Sequence, residues 1–482
     1  MSTIAHEKYE AVIGLEVHAQ LLTESKAFAA VKPEYGGAPN SQVTPLCLGH
    51  PGTLPVVNEN LVRYIIKMGL ATQCNVAEKS IFARKNYFYP DLPKGYQISQ
   101  FDTPICFDGF VDISLEEYDK RIGITRIHME EDAGKSIHDQ DPYNTLVDLN
   151  RAGTPLIEIV SEPDLRTPEE AYAYLSKIKQ IVQYLEICDG NMEEGSLRCD
   201  ANVSVRPRGQ EKFGTRTELK NMNSFRNVER AIHYEIYRQI DLIEDGGEVV
   251  QQTRLWDTTK MQSRAMRSKE EAHDYRYFPE PDLPPIIVTD AMLDEIRKDL
   301  PELADVRRTR FIDDYGMSAD DAVTITDSRY LADYYEEVVE HLGDPKAASN
   351  IVLSEVLRVL NEQSIDIRAF SISAERISEL VKLKDEDKIN SSAMQQIFNA
   401  MLEEDKDPET LAKEMNLIQV SDSGFLEPIV DEIIKNNPDE VKRYKEGKKQ
   451  LIGFFVGQAM KASKGKANPK LVKDLITEKL ND

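Results

Sequence analysis

The sequence predicts an α+β protein, with a large antiparallel-sheet domain over residues 1–294, an all-helical domain over 295–410 and a small helical tail domain over 411–482. Up to about residue 294, apolar and polar residues alternate with the period of two that is typical of strands. After the Pro-rich stretch 278–285, helical spacings dominate. A chain of 482 residues also exceeds what one hydrophobic core usually supports.

Residues 12–21 predict the first strand, because every second side chain in this segment is apolar. The other face carries Glu16, His18 and Gln20, whose side chains can bind a metal ion or accept a proton. A single polar triplet of this kind is more often a solvated strand face than a site. The interpretation as a site therefore depends on recurrence of the pattern.

The pattern recurs in residues 196–206, where Arg198 and Asp200 lie on the polar face of a second alternating segment. A third segment, 156–160, is apolar except for Glu158. This carboxylate has to be paired, protonated or bound to a cation, because burying an isolated charge is very costly.

Residues 121–132 predict a fourth strand, with Arg126, His128 and Glu130 on one face and Glu131 next in the chain. Strands that share acids, Arg and His on their polar faces indicate one concave sheet with a charged floor. Such a floor is typical of a functional site.

Two helices interrupt the predicted strands. Thr167 is the expected N-cap of the first helix, Pro168 lies in its first turn and Glu170 completes a capping box. The second helix is predicted near residues 228–242 and ends at the glycine pair 246–247.

Composition excludes several classes of protein. The net charge of −25 excludes a general nucleic-acid-binding protein, because a basic field supplies most non-specific affinity, although a structured RNA can still bind a local basic patch. The five cysteines are scattered and odd in number, which predicts free thiols in a reducing cytoplasm. The N-terminus shows no signal-peptide pattern, and no apolar run approaches the ~20 residues of a membrane span.

The tail is locally basic in an otherwise acidic chain. A solvated helical face explains such lysines about as well as a binding surface does, but their confinement to one terminal module favours contact with a polyanion. The candidate binding residues are Lys448, Lys449, Lys461, Lys464 and Lys466.

The polar strand faces fit the chemistry of hard metal ions and phosphates. Carboxylate oxygens are the ligands that Mg²⁺ prefers, and one or two such ions fit this set. Arg198 and Lys220 can neutralise phosphate oxygens. For each single residue, a structural ion pair is the alternative. The candidate ligands are Glu16, His18, Glu130, Glu131 and Glu158.

Residues 84–100 combine aromatic, cationic and turn-forming residues in one stretch. They predict a long functional loop, with a rigid structural loop under the sheet as the alternative.

Taken together, long stretches of this chain resemble one family, the B subunits of the bacterial and organellar aspartyl/glutamyl-tRNA amidotransferase. The resemblance runs in order over the whole chain, which makes it far more specific than a short motif. The matching stretches are Tyr9–His18, Arg84–Gln100, Ile127–Ser136, Asp148–Pro163, Met192–Asn202, Glu218–Phe225, Thr253–Asp257, Asp274–Asp282 and Gly457–Gly465.

The resemblance implies a ligase that forms C–N bonds in two steps. ATP first phosphorylates the side-chain carboxylate of glutamate misacylated on the glutamine tRNA, or of aspartate on the asparagine tRNA, and ammonia then displaces the phosphate. The ammonia comes from the amidase of the complex, its A subunit, and the small C subunit bridges the two. The family fold is a cradle-like catalytic domain followed by a helical domain and a tail that contacts the tRNA. No membrane or DNA partner is expected.

The resemblance also implies roles for individual residues. His18, Glu131 and Glu158 match positions associated with the metal, and Lys85 and Tyr87 match the loop that lines the ammonia route. Glu16 and Glu130 lie beside the metal positions. Together with Arg198, Asp200 and Lys220 of the polar strand faces, they are the catalytic candidates.

Strand alternation and the resemblance disagree about the acidic pair. Alternation favours Glu130 as the residue that shares a face with His128, whereas the resemblance favours Glu131 as the metal ligand. A β-bulge within the acidic run would reconcile the two, and both residues are retained as candidates.

One departure from the family pattern concerns zinc. Many members carry a site built from two short Cys pairs, but the matching positions here are Ala29, Val31, Thr44 and Cys47. A structural zinc ion needs four ligands, so we expect no zinc and expect packing to replace it.

Two other functions remain as alternatives. The chain can be a non-catalytic tRNA-binding adaptor of the same complex, or a stand-alone ligase that uses free ammonia. The set of acids and His argues for the catalytic function, because an adaptor does not need a buried Glu158. The sequence has no Ser-Ser-Lys amidase signature, so ammonia has to come from outside the chain.

Overall fold

The computed structural model describes residues 7–266, 275–419, 423–463 and 467–481. The chain forms two compact units, Met1–Ala304 and Asp305–Asp482. The first unit extends past the expected boundary at residue 294, because the helix Asp290–Lys298 crosses that position and its Ile296 is buried in the first hydrophobic core. The finer division into three domains stays a prediction.

The described residues of the first unit form sixteen strands. They are β1 Tyr9–Gln20, β2 Asn75–Val76, β3 Lys79–Ser80, β4 Ala83–Asn86, β5 Tyr96–Ser99, β6 Cys106–Ser114, β7 Asp119–Glu131, β8 Lys135–Ile137, β9 Leu146–Asp148, β10 Pro155–Ser161, β11 Leu197–Pro207, β12 Thr217–Met222, β13 Gln252–Asp257, β14 Gln262–Ala265, β15 Phe278–Pro279 and β16 Ile286–Ile287.

The main sheet has nine strands in the order β14-β13-β12-β11-β1-β10-β7-β6-β2. Its pairs are antiparallel except β12 and β13, which run parallel. A parallel pair needs a crossover connection, and the long helix Phe225–Glu244 provides it. The α+β class and the large antiparallel sheet predicted from the sequence are confirmed.

The helices of the first unit are α1 Glu59–Ala71, α2 Pro168–Tyr184, α3 Phe225–Glu244 and α4 Asp290–Lys298. Their apolar residues share one core with the apolar face of β1, where Ile13, Leu15 and Val17 are fully buried. Since side chains alternate along a strand, this packing leaves the polar residues of β1 on the opposite face. The helices therefore determine which face of the sheet can carry a site.

Helix α2 begins where the sequence predicts. The Thr167 hydroxyl accepts a hydrogen bond from the Glu170 backbone N–H at 3.1 Å. The Glu170 carboxylate accepts from the Arg166 N–H at 2.6 Å, one residue before the position expected for a standard capping box. It also accepts from Tyr118 Oη and Lys120 Nζ, so it joins the helix to the loop between β6 and β7 and the start of β7.

The second unit is helical throughout its described residues, with two separate hydrophobic clusters, one from Phe311 to Ala412 and one from Leu426 to Leu480. Its helices are α5 Ala304–Tyr315, α6 Ala319–Thr326, α7 Arg329–Leu342, α8 Pro345–Ile351, α9 Leu357–Gln363, α10 Ala374–Asp385, α11 Ser391–Glu403, α12 Pro408–Glu414, α13 Ser423–Asn436, α14 Pro438–Lys445, α15 Ile452–Ala462 and α16 Pro469–Asn481, with a π-helical segment at Val352–Val356 and short 3-10 turns at Ile367–Ala369 and Lys449–Leu451.

Within the described residues, no helix has both the length and the apolar character needed to cross a membrane.

Substitution Glu170→Gln tests the anchoring of α2. Burial alone would raise the pKa of Glu170, but the Lys120 ammonium, the Arg166 N–H and the Tyr118 hydroxyl lower it below its ordinary value of 4.5. The ionised carboxylate therefore stabilises the fold above pH 4.5, and this stabilisation is lost as the pH falls toward the folded-state pKa. We expect a loss of about 2 kcal/mol at pH 7, which is typical of hydrogen bonds to a charged group.

Urea unfolding followed by the fluorescence of the single tryptophan, Trp256, reports on the first unit, because this residue lies in its core. The exposed neighbour Glu169→Gln is the matched control. Equal midpoints for the two variants at pH 7 would contradict a stabilising role for the Glu170 charge.

Candidate functional site

A row of charged side chains crosses the polar face of the main sheet. The strand register pairs His128 of β7 with Glu158 of β10, Glu158 with His18 of β1, and His18 with Arg198 of β11. Directly paired residues point to the same face of a sheet and lie within side-chain contact. Four strands thus bring together residues that are up to 180 positions apart in the chain.

Glu158 is the centre of this row. Its Oε2 lies 3.3 Å from His128 Nε2 and 3.5 Å from His18 Nε2. Glu130 Oε1 lies 3.8 Å from the same His128 nitrogen. Glu130, Glu158 and His128 are all buried. His18, Glu130 and Glu158 each offer a ligand atom within 4.8 Å of the others, which is close enough for one metal ion.

The charged groups of this cluster shift one another's pKa values. Burial alone would lower the pKa of His128, but the Glu158 and Glu130 carboxylates raise it to about 9. Burial alone would raise the pKa of Glu130, but Lys85 and His128 lower it to about 2. The pKa of Glu158 is well below its ordinary value because His128 and His18 outweigh its burial. Both carboxylates are therefore ionised at neutral pH.

We call His18, Glu130 and Glu158 the first acidic group. A second acidic group lies beside it, and both groups use the same face of β1. Glu16, Asp200 and Glu218 also offer ligand atoms within 4.8 Å of one another. Lys220 Nζ donates to Asp200 Oδ2 at 2.5 Å and lies 2.9 Å from Glu218 Oε1. Burial and the neighbouring carboxylates, Glu158 first among them, raise the pKa of Glu16. The Lys220 ammonium thus offsets part of the negative charge of this group.

The two acids of the acidic pair lie in different environments. Glu130 belongs to the cluster with His18 and Glu158, but Glu131 accepts a hydrogen bond from the Ile98 N–H at 2.9 Å and forms an ion pair with Lys94. The pairing of Glu130 with Leu156 and of Glu131 with Pro155 is regular, so the acidic run contains no bulge. The structure thus places Glu130 in the cluster with His18 and Glu158, and the role of Glu131 as a metal ligand stays a prediction.

Asp132 was not among the residues proposed from the sequence. It is buried and accepts hydrogen bonds from Gln20 Nε2 at 2.9 Å and from Arg198 Nη2 at 2.8 Å. Continuing the alternation of His128 and Glu130 by one further step would have identified it. Asp132 orients Arg198 beside His18, so it supports the site without adding to either acidic group.

Lys85 lies against the first acidic group. Its Nζ donates to Glu130 Oε1 at 3.0 Å and lies 5.2 Å from the centre of the Tyr275 ring. The Tyr87 ring contacts the Tyr275 ring at 6.0 Å. The predicted loop 84–100 is in fact a hairpin of β4 and β5, and only the residues between these strands form a loop. The pairing of Arg84 with Ile98 holds Lys85 in position.

The segment that matches the zinc site of other family members has a different interior. Lys26 is 1% exposed, and its Nζ donates to the Gln42 carbonyl at 2.7 Å and lies 3.7 Å from Cys47 Sγ. Thr44 Oγ1 lies 3.4 Å from the same sulfur. Ala29 and Val31 contribute a backbone hydrogen bond to this segment. The buried Lys26 ammonium group thus forms hydrogen bonds with the groups around Cys47.

Three of the five candidate lysines of the tail, Lys448, Lys449 and Lys461, are described and all are exposed. Lys449 Nζ lies 4.1 Å from the centre of the Tyr444 ring. Lys464 and Lys466 lie outside the described residues.

The first acidic group fits a divalent cation. Two ionised carboxylates and one imidazole converge, and the cationic Lys85 and His128 beside them offset the negative charge in the structure. Carboxylate oxygens suit both Mg²⁺ and Mn²⁺.

Substitutions of Glu130, Glu131 and Glu158 test whether Glu130 or Glu131 is the metal ligand of the acidic pair. We expect Glu130→Gln and Glu158→Gln each to weaken Mn²⁺ binding by more than about tenfold, because each removes a charged oxygen from the cluster. We expect Glu131→Gln to leave Mn²⁺ affinity nearly unchanged, since its carboxylate bonds to Lys94 and Ile98. Calorimetric titration of the purified protein measures all three affinities, and the reverse ranking would return Glu131 to the metal set.

Comparison with known proteins identifies the family of this chain. Residues 11–294 match the GatB/GatE catalytic domain, and residues 333–480 match the GatB domain. The B subunit of the aspartyl/glutamyl-tRNA(Asn/Gln) amidotransferase of Oleidesulfovibrio alaskensis is 56% identical over 473 residues, which cover 98% of this chain and 99% of the relative. The corresponding protein of Prosthecochloris aestuarii is 55% identical over 98% of both chains, and that of Salinibacter ruber is 53% identical over 99% of this chain and 98% of the relative. The chain belongs to the GatB family of tRNA-dependent amidotransferase B subunits.

Proposed function

We propose that this chain carries the site at which the side-chain carboxylate of a misacylated Glu-tRNA(Gln) or Asp-tRNA(Asn) is activated by ATP and then amidated. The family relationship supports an ATP-dependent, C–N-forming ligase of the glutamine-hydrolysing glutaminyl-tRNA synthase type. The observation that carries the proposal for this chain is the cluster of Glu158, His18 and Glu130 on the polar face of the sheet.

Activation brings an anionic carboxylate to an anionic phosphate, so the site has to offset their repulsion. Two cations on the polar face, Lys220 and Arg198, can bind phosphate oxygens. Asp200 orients Lys220, and Asp132 orients Arg198. His18, Glu130 and Glu158 are the residues that would hold Mg²⁺, with Glu16, Asp200 and Glu218 as a second set. Bound Mg²⁺ supplies positive charge that neutralises phosphate oxygens.

Amidation needs ammonia, which we propose is delivered by an amidase, the A subunit of the same complex, together with the small C subunit. Lys85 and Tyr87 are the candidates for lining its route, because Lys85 links this hairpin to Glu130. Burial is the main reason why the pKa of Tyr87 is raised, so its hydroxyl stays protonated and can donate or accept a hydrogen bond. The free, buried cysteines fit the cytoplasm as the compartment of this reaction.

For the tRNA body, we propose the tail as a contact surface. The described lysines Lys448, Lys449 and Lys461 are exposed, and this basic group contrasts with the net charge of −25 of the chain. Lys464 and Lys466 remain candidates from the sequence. Phosphate contacts of this kind supply affinity that depends on salt but carries little sequence information.

The activating step can be tested by phosphate release from ATP by the complex of this chain with its partner subunits. We expect release to require Mg²⁺ and misacylated tRNA, and Glu158→Gln to reduce it by about 100-fold or more because the centre of the charged row is lost. The affinity for tRNA should stay nearly unchanged. Glu162→Gln, an exposed carboxylate next to the end of β10, is the matched control.

Full phosphate release by Glu158→Gln would remove this residue from the site. An absence of release from the wild-type complex that still binds tRNA would favour the adaptor function instead.

The tail contact is tested by the salt dependence of tRNA binding. We expect the triple variant Lys448→Gln, Lys449→Gln and Lys461→Gln to bind tRNA more weakly and to lower the slope of log Kd against log salt by about two to three, since each lost phosphate contact removes a little less than one. The control replaces the exposed Lys212, Lys260 and Lys298 of the first unit, which changes the net charge equally. Identical slopes for both triple variants would show that the tail lysines form only a solvated face.

A further inference from the structure

An aromatic row borders the first acidic group. We use this name for Tyr89, Tyr87, Tyr275, Tyr277 and Phe101, whose neighbouring ring centres lie between 4.2 and 6.1 Å apart. These residues come from two distant parts of the chain, the hairpin region around β4 and β5 and the segment before β15. None of them has a role in the activation step described above, and Tyr87 is a candidate only for lining the ammonia route.

The Phe101 end of the aromatic row differs from the rest of the row in its ring geometry. Phe101 and Tyr277 lie parallel, with ring centres 4.2 Å apart and planes 8° apart, whereas the other pairs of the row meet edge to face. Phe101 remains 50% exposed. A flat stack with an exposed outer ring is the arrangement on which a nucleobase can add as the next layer.

This stack lies directly beside the acidic group. Phe101 follows two residues after Ser99, whose hydroxyl donates to Glu130 Oε1 at 3.2 Å. Gln100, between them, accepts a hydrogen bond from the Met129 N–H of β7. On the other side of the stack, Tyr277 contacts Tyr275, and Lys85 connects the Tyr275 ring to Glu130. Both rings of the stack are therefore anchored to residues that bond to Glu130.

We propose that the exposed face of Phe101 stacks on the adenine of the 3′-terminal nucleotide of the aminoacyl-tRNA. This inference rests on the proposed function, because it assumes that the aminoacyl carboxylate reaches the acidic group. Only a few covalent bonds separate that carboxylate from the ribose of the last nucleotide. The last base is therefore confined to the immediate surroundings of Glu130 and Glu158, where Phe101 offers a half-exposed ring. Tyr89 is exposed to a similar extent but meets its neighbour in the row edge to face.

The adenine of ATP is the other base that enters the reaction, but the charges favour a different position for it. The cations available for phosphates, Arg198 and Lys220, lie on β11 and β12, three and four strands away from β7. With strands about 4.8 Å apart, the backbone of β12 lies about 19 Å across the sheet from the strand that bears Glu130. The Lys220 ammonium stays on that side because it bonds to Asp200 and Glu218, whereas the Arg198 guanidinium reaches back to Asp132. The aromatic row is on the other side of the acidic group, next to β5 and β7.

The test compares two RNA hairpins that mimic the acceptor stem, one ending in CCA and one lacking the last adenosine, for binding to the complex of the full chain with its partner subunits. Stacking of one base on one aromatic ring predicts that Phe101→Ala weakens binding of the CCA hairpin by about 5- to 150-fold. The shortened hairpin should bind the wild type and Phe101→Ala equally. Phe101→Trp, which keeps a flat aromatic face, should restore the preference for the complete end.

Phe213→Ala is the matched control, because Phe213 has a similar exposure of 55% in the same unit and lies outside the aromatic row. The KM for ATP of each variant is measured in parallel. A change in this KM without a change in hairpin affinity would overturn the proposal and assign the stack to the nucleotide. Unchanged affinity for both ligands would also overturn it.

The outcome is separable from that of the proposed function. A wild-type complex that releases phosphate in response to misacylated tRNA, but whose hairpin affinity is insensitive to Phe101→Ala, would overturn this inference alone. A wild-type complex that neither binds the hairpin nor releases phosphate would overturn both.

Discussion

Glu158 lies between two imidazoles, and the site depends on this arrangement. A carboxylate that is only 7% exposed cannot stay ionised without partners, and it is held by His18 on one neighbouring strand and His128 on the other. These partners reach it only in one register of three strands. A slip of β10 by one residue would turn Glu158 toward the helices and place an apolar side chain among the charges. The fold and the charged row therefore stabilise each other.

Strand β1 connects the two acidic groups, because it contributes His18 to one and Glu16 to the other. Residues two apart on a strand share a face and lie about 7 Å apart along it. Each group has its own cations, His128 and Lys85 for the first and Lys220 for the second. The polar face thus alternates positive and negative charge over a short distance, a distribution suited to a ligand that carries several anionic groups.

Two neighbouring residues of β7, Glu130 and Glu131, have different structural roles. Glu130 belongs to the charged cluster, while Glu131, the next residue, bonds to Lys94 and to the backbone of β5. The buried Lys26 and the segment around Cys47 lie near Glu131, with Lys26, Cys47 and Glu131 all lining one small cavity. Glu131 therefore fastens the β4–β5 hairpin to the sheet, and this hairpin in turn carries Lys85 to Glu130.

The sequence by itself determined the strands β1, β7, β10 and β11 and the polar residues on them, because alternation with a period of two requires only neighbouring residues. It also determined the start of α2 from Thr167 and Pro168 and the α+β class. It identified the polar face of β1 and the unusual Glu158 in an apolar run. It did not reveal that residues 84–100 form a hairpin, because Lys85 and Asn86 carry no strand pattern and owe their conformation to pairing with Gln97 and Tyr96.

Only the tertiary structure decided which charges meet. The register between β1, β7, β10 and β11 pairs residues that are far apart in the chain, and no local pattern encodes a register. For this reason the different partners of Glu130 and Glu131, the support that Asp132 gives to Arg198 and the stack of Phe101 on Tyr277 appear only in three dimensions. Local alternation is a property of neighbouring residues, whereas a charged site depends on distances between strands, which folding alone establishes.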